Sequence, residues 1–238
     1  MSKNFLKNIS IKKTEENSSF SKIEGLSKFE SLTFEKPITF FSGENGTGKS
    51  TLLEAIAVNW GFNPEGGSIN FNFSTNNTHS DFHNYIRLSK SVNRPTDGFF
   101  LRAESFYNVA TYVEDIGLDF SEYGNKSLHH QSHGESFLNL INNRFRGNGL
   151  YLLDEPEAAL SPQRQLSLML SIKNLVDEGS QFIIVTHSPI LLAMPDSQIF
   201  SFDGNSPFEI SYEESMPYKI TSLFLNNKDR MLSELFYK

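Results

Sequence analysis

The segment Gly43-Glu44-Asn45-Gly46-Thr47-Gly48-Lys49-Ser50-Thr51 decides the fold of this chain. It follows a strand-like run, Pro37–Ser42, and precedes a helical stripe of apolar residues that stops at Gly61. A glycine-rich loop in this position turns backbone N–H groups and the positive end of a helix toward one point, which is typical of a phosphate-binding loop. In such a P-loop Lys49 reaches the β- and γ-phosphates of a nucleotide, and the Ser50 hydroxyl ligates Mg²⁺.

A second segment indicates the same chemistry. The apolar run Leu150–Leu153 predicts a short buried strand, and Asp154 and Glu155 follow it directly. Asp154 can hold Mg²⁺ through its water shell, and Glu155 can polarise an attacking water. The alternative is a helix N-terminus that carries two favourable acids. The P-loop elsewhere in the chain favours the metal and water interpretation.

A third segment, Ser132-His133-Gly134-Glu135-Ser136, precedes an apolar run. One interpretation is a helix start in which Ser132 is the N-cap and Glu135 completes a capping box. A helix N-terminus with serine and glycine can also bind a phosphate. In that case it could face the P-loop of a second copy of the chain.

Thr186-His187-Ser188-Pro189 forms a fourth segment, after the strand-like run Phe182–Val185. His187 could donate a hydrogen bond to a γ-phosphate. The alternative is a helix start with Ser188 as N-cap and Pro189 at the first position. Ligands bind beyond the carboxyl ends of parallel strands, and this position favours the functional interpretation.

The remaining pattern predicts an α/β fold. Strand-like runs alternate with helical ones, which implies a largely parallel core sheet. We expect an antiparallel β-subdomain near the N-terminus, a mostly helical region before Gly149, a closing hairpin and one C-terminal helix. The runs behind these expectations are Asn4–Ile11, Ser31–Phe34, Ile38–Ser42, Asn63–Asp81 (irregular), Phe99–Ala103 (strand), Ser161–Gly179 (helix), Ile199–Phe202, Phe208–Tyr212 and Ile220–Phe236 (helix).

Composition narrows the functional classes. The chain has 238 residues, no cysteine and a net charge of −7 from 21 basic and 28 acidic residues. The length suits one domain or at most two small ones. Lack of cysteine excludes disulfides, thiolate metal sites and cysteine nucleophiles. No apolar run approaches the ~18–20 residues that span a bilayer, and no signal peptide is apparent, so we expect a soluble cytoplasmic protein.

Taken together, the four segments resemble those of an ABC-type ATPase, and the spacing between them is similar too. Gly43–Thr51 resembles Walker A, Ser132–Glu135 the signature motif, Leu150–Glu155 Walker B, and His187 the switch histidine. The resemblance is closest to a group of small predicted ATPases related to SMC and RecF-like proteins.

The resemblance implies a P-loop NTPase fold of the ABC type and two cofactors, ATP and Mg²⁺. The implied nucleotide-binding residues are Gly43, Glu44, Asn45, Gly46, Thr47, Gly48, Lys49, Ser50, Thr51, Ser132, Gly134 and Glu135. The implied catalytic residues are Glu155, His187 and Lys49, and the implied metal ligands are Ser50, Asp154 and Glu104. Residues 1–61 and 149–238 would form the nucleotide-binding core, and about 62–148 an inserted helical lobe that ends in the signature motif.

Two positions depart from the family pattern. No glutamine stands where the Q-loop belongs, and Glu104 is its substitute, the alternative being a solvated Arg/Glu pair at a strand end. Ser161 occupies the D-loop position where an aspartate is usual. His129, His130 and His133 invite a metal interpretation, but they lack a cysteine or a paired acid.

The resemblance also implies a head-to-tail homodimer around two MgATP that switches a partner protein. Two other roles stay open. A DNA-associated ATPase would need a basic stripe, for which Lys3, Lys7, Lys12, Lys13, Arg87, Lys90 and Arg94 are candidates, against a merely solvated surface. An ABC transporter subunit would need a permease.

Overall fold

The computed structural model describes residues 4–12, 23–68, 80–102 and 133–237. The strands are β1 (Leu6–Ile11), β2 (Ser31–Thr33), β3 (Ile38–Ser42), β4 (Ile86–Lys90), β5 (Asp97–Arg102), β6 (Gly149–Asp154), β7 (Gln181–Val185), β8 (Ser197–Ser201) and β9 (Phe208–Ile210). The α-helices are α1 (Lys49–Trp60), α2 (His133–Arg144), α3 (Pro162–Asp177), α4 (Pro189–Leu192), α5 (Met216–Asn226) and α6 (Lys228–Phe236).

The strands form two sheets. A six-stranded sheet has the order β5-β6-β7-β3-β8-β9, in which only β9 runs antiparallel to its neighbour. A three-stranded antiparallel sheet has the order β2-β1-β4. The predicted α/β fold, with a largely parallel core sheet and an N-terminal antiparallel subdomain, is therefore confirmed.

The central strands β3, β6 and β7 are buried along their whole length because both faces of the parallel sheet are covered. In β6, Tyr151 and Leu153 face a cluster that includes α2, α3 and α4, whereas Leu150 and Leu152 face a cluster that includes α1 and the antiparallel sheet. The α1 helix follows β3 directly. This packing fixes the carboxyl ends of β3, β6, β7 and β8 along one edge of the sheet.

One expectation about the region before Gly149 is wrong. The stretch expected to be mostly helical contains β4, which pairs with β1, and β5, which begins at Asp97 rather than Phe99. In β4, Ile86 is buried and Arg87 is exposed, so successive side chains point to opposite faces, as they do in a strand. Residues 69–79 and 103–132, which belong to the predicted lobe, lie outside the described part of the chain.

The C-terminal helix is a second correction, because two helices replace the one expected. Asn227 has φ −134° and ψ 31°, which is not helical, and it separates α5 from α6. Its side-chain Nδ2 donates to Leu223 O at 3.1 Å. Asparagine competes for backbone hydrogen bonds in this way and so interrupts helices.

Candidate functional site

The P-loop connects β3 to α1, and its glycines adopt conformations that other residues rarely reach. Gly43, Gly46 and Gly48 have φ values of 142°, 83° and 99°. A Cβ on Gly43 would lie 2.8 Å from Asp203 Oδ1, and a Cβ on Gly48 would lie 2.6 Å from Ile23 Cγ2. The loop therefore needs glycine for its backbone angles at all three positions and for space at two of them.

Lys49 is buried at the start of α1, with 4% of its surface exposed. Its Nζ donates to Gly43 O at 2.8 Å and to Glu44 O at 2.6 Å. Burial lowers the pKa of Lys49, and the nearby carboxylates of Glu155 and Asp203 oppose that shift. The ammonium is thus folded back against its own loop, at a point where a negatively charged ligand would relieve its desolvation.

The other members of the loop take up distinct positions. The Thr47 hydroxyl donates to Glu44 O at 2.8 Å and braces the turn. Glu44 and Asn45 are exposed at its tip, and Thr51 lies half-buried in the first turn of α1.

Ser50, in the first turn of α1, contacts Asp154, the last residue of β6. Ser50 Oγ donates to Asp154 Oδ1 at 2.8 Å. This hydrogen bond holds the hydroxyl that would ligate Mg²⁺ beside a carboxylate that can accept hydrogen bonds from the water shell of the ion. The two side chains fit Mg²⁺, which usually takes one or two carboxylates and completes its shell with water and phosphate oxygens.

Arg102 is a charged neighbour of this pair that the motifs did not single out. Its Nε forms an ion pair with Asp154 Oδ2 at 3.5 Å, and its Nη1 donates to Glu54 Oε2 at 3.0 Å. The sequence had left open that Arg102 and Glu104 form a solvated pair at the strand end. In the structure Arg102 is not solvated in this way, because its side chain connects β5 with β6 and α1. Glu104, the proposed Q-loop substitute, lies outside the described residues.

Glu155 and His187 lie together beyond the ends of β6 and β7. Glu155 has φ 51° and ψ 52°, a left-handed conformation that costs a non-glycine residue on the order of 1–3 kcal/mol. His187 Nε2 is buried without a hydrogen-bond partner in the described part of the chain, and it lies 3.8 Å from Glu155 Oε1. A left-handed backbone at an acidic residue and a buried ring nitrogen without a partner among the described residues are features of a ligand site.

Glu157 fixes the backbone position of His187 through a hydrogen bond. Its Oε1 accepts a hydrogen bond from the His187 backbone N–H at 2.5 Å. Burial raises the pKa of Glu157, and the hydrogen bond from His187 opposes the shift. Ser188 is the N-cap of α4, as its sequence alternative predicted, and its hydroxyl accepts from Ile190 N and Leu191 N. Capping and a site role for His187 are therefore compatible.

Asp203 is a second residue that sequence reasoning missed. It follows β8, and its Oδ1 accepts a hydrogen bond from Glu44 N at 2.7 Å. The Ser201 hydroxyl donates to Oδ2 at 3.0 Å. An Asp-Gly pair in the expected closing hairpin was its only sequence signal, and that signal indicates a turn.

The predicted signature segment is only partly described. Ser132 lies outside the described residues, and α2 begins at His133. A Cβ on Gly134 would lie 2.7 Å from Ala159 O, and Glu135 Oε1 accepts from Arg164 Nη2 at 3.1 Å. Gly134 and Glu135 therefore pack against the segment that follows Glu155. Ser161, the D-loop departure, is the N-cap of α3.

The remaining predicted groups are dispersed. Lys7 and Arg87 are exposed on strands of the antiparallel sheet, whereas Lys90 lies 4.4 Å from the Trp60 ring. Lys3, Lys13, His129 and His130 lie outside the description, and the described residues contain no cluster of three or more potential metal-binding side chains. Among the described helices, none is long and apolar enough to cross a membrane.

Comparisons with known families place this site in context. Residues 18–150, more than half of the chain, match the family described as AAA domain, and residues 136–192 match the family described as AAA ATPase domain.

Individual proteins resemble the chain more distantly. The putative ABC transporter ATP-binding protein PH0132 of Pyrococcus horikoshii is 27% identical, over 77% of this chain and 76% of that protein. The chromosome partition protein Smc of Fusobacterium nucleatum is 30% identical over 63% of this chain, which spans only 14% of that protein. The solved structure of cbiO1 from Clostridium perfringens, part of the ABC transporter complex cbiONQ, shares the fold with a TM-score of 0.51 at 16% identity, covering 97% of this chain and 98% of that one.

Proposed function

Since this chain belongs to the AAA domain family and is an ABC-type P-loop ATPase related to SMC and RecF-like proteins, we propose that it binds MgATP and hydrolyses it to ADP and phosphate. The observation that carries the proposal is the hydrogen bond between Ser50 and Asp154 beside the buried Lys49. The P-loop, the proposed Mg²⁺-holding residues Ser50 and Asp154, and Glu155 with its left-handed backbone all lie at the same edge of the sheet.

In this proposal the P-loop amides and Lys49 bind the β- and γ-phosphates of ATP. Ser50 and Asp154 hold Mg²⁺, which when bound supplies positive charge against the phosphate oxygens. Glu44, Asn45 and Thr51 flank the phosphates. When phosphate displaces its carbonyl partners, Lys49 exchanges neutral acceptors for charged ones, which form the stronger hydrogen bonds.

Glu155 accepts a proton from the attacking water, whose oxygen bonds to the γ-phosphorus as the bond to the β–γ bridging oxygen breaks. His187 Nε2 donates to a γ-phosphate oxygen and keeps the transferred group in line. Glu157 fixes the His187 backbone, and the left-handed turn at Glu155 directs the carboxylate. Catalysis of this kind consists of positioning and charge stabilisation.

We further propose that two copies close head-to-tail around two MgATP in the cytoplasm. Ser132 and the Gly134 amide of one copy would contact the γ-phosphate bound to the other. The packing of Gly134 and Glu135 against the segment after Glu155 supports a link between this surface and the water-activating residue. ATP would then assemble the dimer and hydrolysis release it, which would switch a partner protein.

The Glu155→Gln variant tests this proposal. It retains size and hydrogen bonding but loses the base, so we expect ATP binding, a stable dimer in light scattering and turnover lower by about 10²–10⁴-fold. Glu213→Gln makes the same chemical change at an exposed position near the C-terminus and should behave like the natural protein. A Glu155→Gln variant that stays monomeric in saturating ATP would overturn the head-to-tail dimer.

A DNA-associated role is the second candidate. Arg87 stands opposite Ser10 in the antiparallel sheet, and Lys7 is exposed on the neighbouring strand. Phosphate contacts by such residues would make DNA stimulation of ATPase activity fall steeply with salt. A transporter role is supported by the similarity to the putative ABC transporter ATP-binding protein PH0132, and co-fractionation with membranes would favour it.

A further inference from the structure

Exposed apolar side chains are concentrated on the two C-terminal helices. Twelve large apolar side chains are exposed in the described part of the chain, and eight of them belong to residues 216–237. Neither α5 nor α6 has a buried residue, whereas each of the other described α-helices has at least two. A concentration of exposed apolar side chains of this kind marks a surface that contacts another molecule.

One part of this surface is a groove between α3, α4 and α5, with a volume of about 510 Å³. No charged residue lines it, and two lining residues, Leu166 of α3 and Leu225 of α5, are 54% and 71% exposed. Pro189 and Ile190 of α4, which follow His187 in the chain, also line the groove. Pockets of about 300–1,000 Å³ hold drug-sized ligands, so the groove has room for several large apolar side chains.

A second part of the surface lies at the end of α6. Leu235, Phe236 and Tyr237 are 69%, 72% and 85% exposed, and we call these three residues the apolar tip. No residue of α6 lines the groove of the same copy. The chain therefore carries an apolar groove and an apolar tip that do not cover each other.

The charges near the tip favour a second copy of this chain as the occupant of the groove. The net charge of −7 opposes association of two copies through most of their surface. Residues 216–237 are nearly neutral, because they contain three basic residues and two acidic ones: Lys219, Lys228, Arg230, Asp229 and Glu234. An amphipathic helix that binds a membrane has a polar face rich in lysine and arginine, and this balance argues against a lipid surface.

The exposed area also suits a dimer. An aromatic side chain has about 150–250 Å² of surface, so the three residues of the tip together expose about 400 Å². If each tip covers a similar area of a facing groove, each copy contributes about 800 Å² to the contact, as in an interface of standard size.

We infer that the apolar tip of one copy lies in the groove of a second copy, and that the second tip lies in the first groove. The result is a two-fold symmetric dimer, in which the same surface of both copies makes the contact. This contact uses none of the residues proposed to bind MgATP. It therefore goes beyond the proposed function and needs no nucleotide.

Light scattering in EDTA without nucleotide tests the inference. We expect the natural chain at about 50 µM to be a dimer, because interfaces of this size bind with micromolar affinity or better. Phe236→Asp would place a charge in the apolar groove and should raise the dissociation constant of the dimer by about 30-fold or more. Val92→Asp is the matched control, since Val92 is 98% exposed and lies outside this surface, and it should leave the dimer intact.

A mixture of two variants tests the reciprocal geometry. Ala193→Trp fills the groove and leaves the tip intact, whereas Phe236→Asp changes the tip and leaves the groove intact. Each variant alone should be largely monomeric. The mixture should contain dimers, because the intact tip of the first variant fits the intact groove of the second.

The inference is overturned if the natural chain is monomeric at this concentration, or if Val92→Asp weakens the dimer as much as Phe236→Asp does. A mixture of Ala193→Trp and Phe236→Asp without dimers would overturn it as well. A monomeric natural chain that binds phosphatidylserine vesicles through Phe236 would assign the surface to a membrane instead. If Phe236→Asp does not fold, Tyr237→Asp takes its place in each measurement.

Discussion

The two ends of the parallel sheet use charged residues in opposite ways. At the amino ends of the strands, Asp97 accepts hydrogen bonds from Arg144 Nη1 at 2.9 Å and from Arg146 N at 3.2 Å, and the Tyr151 hydroxyl lies 2.8 Å from its Oδ2. At the carboxyl ends, Lys49 Nζ folds back on carbonyls of its own loop, Glu155 has a left-handed backbone, and His187 Nε2 has no hydrogen-bond partner among the residues that the structure describes. We call the first network closed, because its charged groups have partners within the protein. We call the second open, because a bound ligand would complete it.

From this difference we expect the charges at the amino ends to serve the fold and those at the carboxyl ends to serve the proposed nucleotide. In a closed network every charged group has a partner of opposite charge or a hydrogen bond, so removal of one member leaves the others buried and unsatisfied. In an open one, groups are held at some cost to stability until a ligand completes them. Mutations at the two ends should therefore separate stability from nucleotide binding.

The largest expected effect is at the closed end. Asp97→Ala removes the carboxylate that pairs with the largely buried Arg144 guanidinium, so we expect the free energy of unfolding to fall by about 2–3 kcal/mol. Urea denaturation measures the loss. Nucleotide affinity of the folded protein should not change, and a large loss of affinity would contradict the division between the two ends.

The next effect is at the open end. Lys49→Met retains much of the side-chain volume but removes the ammonium, so we expect nucleotide affinity to fall about 100-fold, from the loss of charged hydrogen bonds of about 1.5–3 kcal/mol. Because burial lowers the pKa of Lys49, the folded state bears a cost for this charge. The free energy of unfolding should therefore stay the same or rise. A clear loss of stability would mean that Lys49 serves the fold.

Asp203 tests whether the P-loop is positioned from β8. Asp203→Ala removes the acceptor of Glu44 N and should weaken nucleotide binding by about 1–2 kcal/mol, because the loop entrance is no longer fixed. Asp203→Asn keeps an acceptor and should lose less. Titration of a fluorescent nucleotide distinguishes the two variants, and equal losses would show that the charge of Asp203, rather than its hydrogen bond, matters.

The smallest effect concerns pH. Burial raises the pKa of Glu157, so the folded state binds this proton more tightly than the unfolded chain does. Its contribution to stability therefore declines as pH rises from the unfolded to the folded pKa, and the ionised form is unfavourable at neutral pH. Glu157→Gln should remove this decline.

Thermal unfolding near pH 5 and near pH 8 checks this prediction, with the exposed Glu178→Gln as control. The melting temperature of the natural protein should fall more between the two pH values than that of Glu157→Gln. Parallel behaviour of the two proteins would contradict the assigned role of the buried carboxylate.

The elements of the parallel core could be predicted from local sequence patterns alone. The P-loop glycines, the apolar runs of β3, β6 and β7 and the caps Ser161 and Ser188 all depend on neighbours within a few residues. Where the contacts are distant, the prediction failed. The β4 strand exists because β1 supplies its hydrogen bonds, and a helical interpretation of the same short amphipathic segment ignored that partner.

The sequence by itself determined that this chain has a phosphate-binding loop, a buried strand ending in two acids and an α/β core, because each rests on backbone preference and hydrophobic period. Only the tertiary structure decided that Arg102 faces Asp154, that Asp203 holds the P-loop and that Glu157 supports His187. These contacts join strand ends that are far apart along the chain. Their geometry comes from the order and register of the sheet, which no local pattern contains.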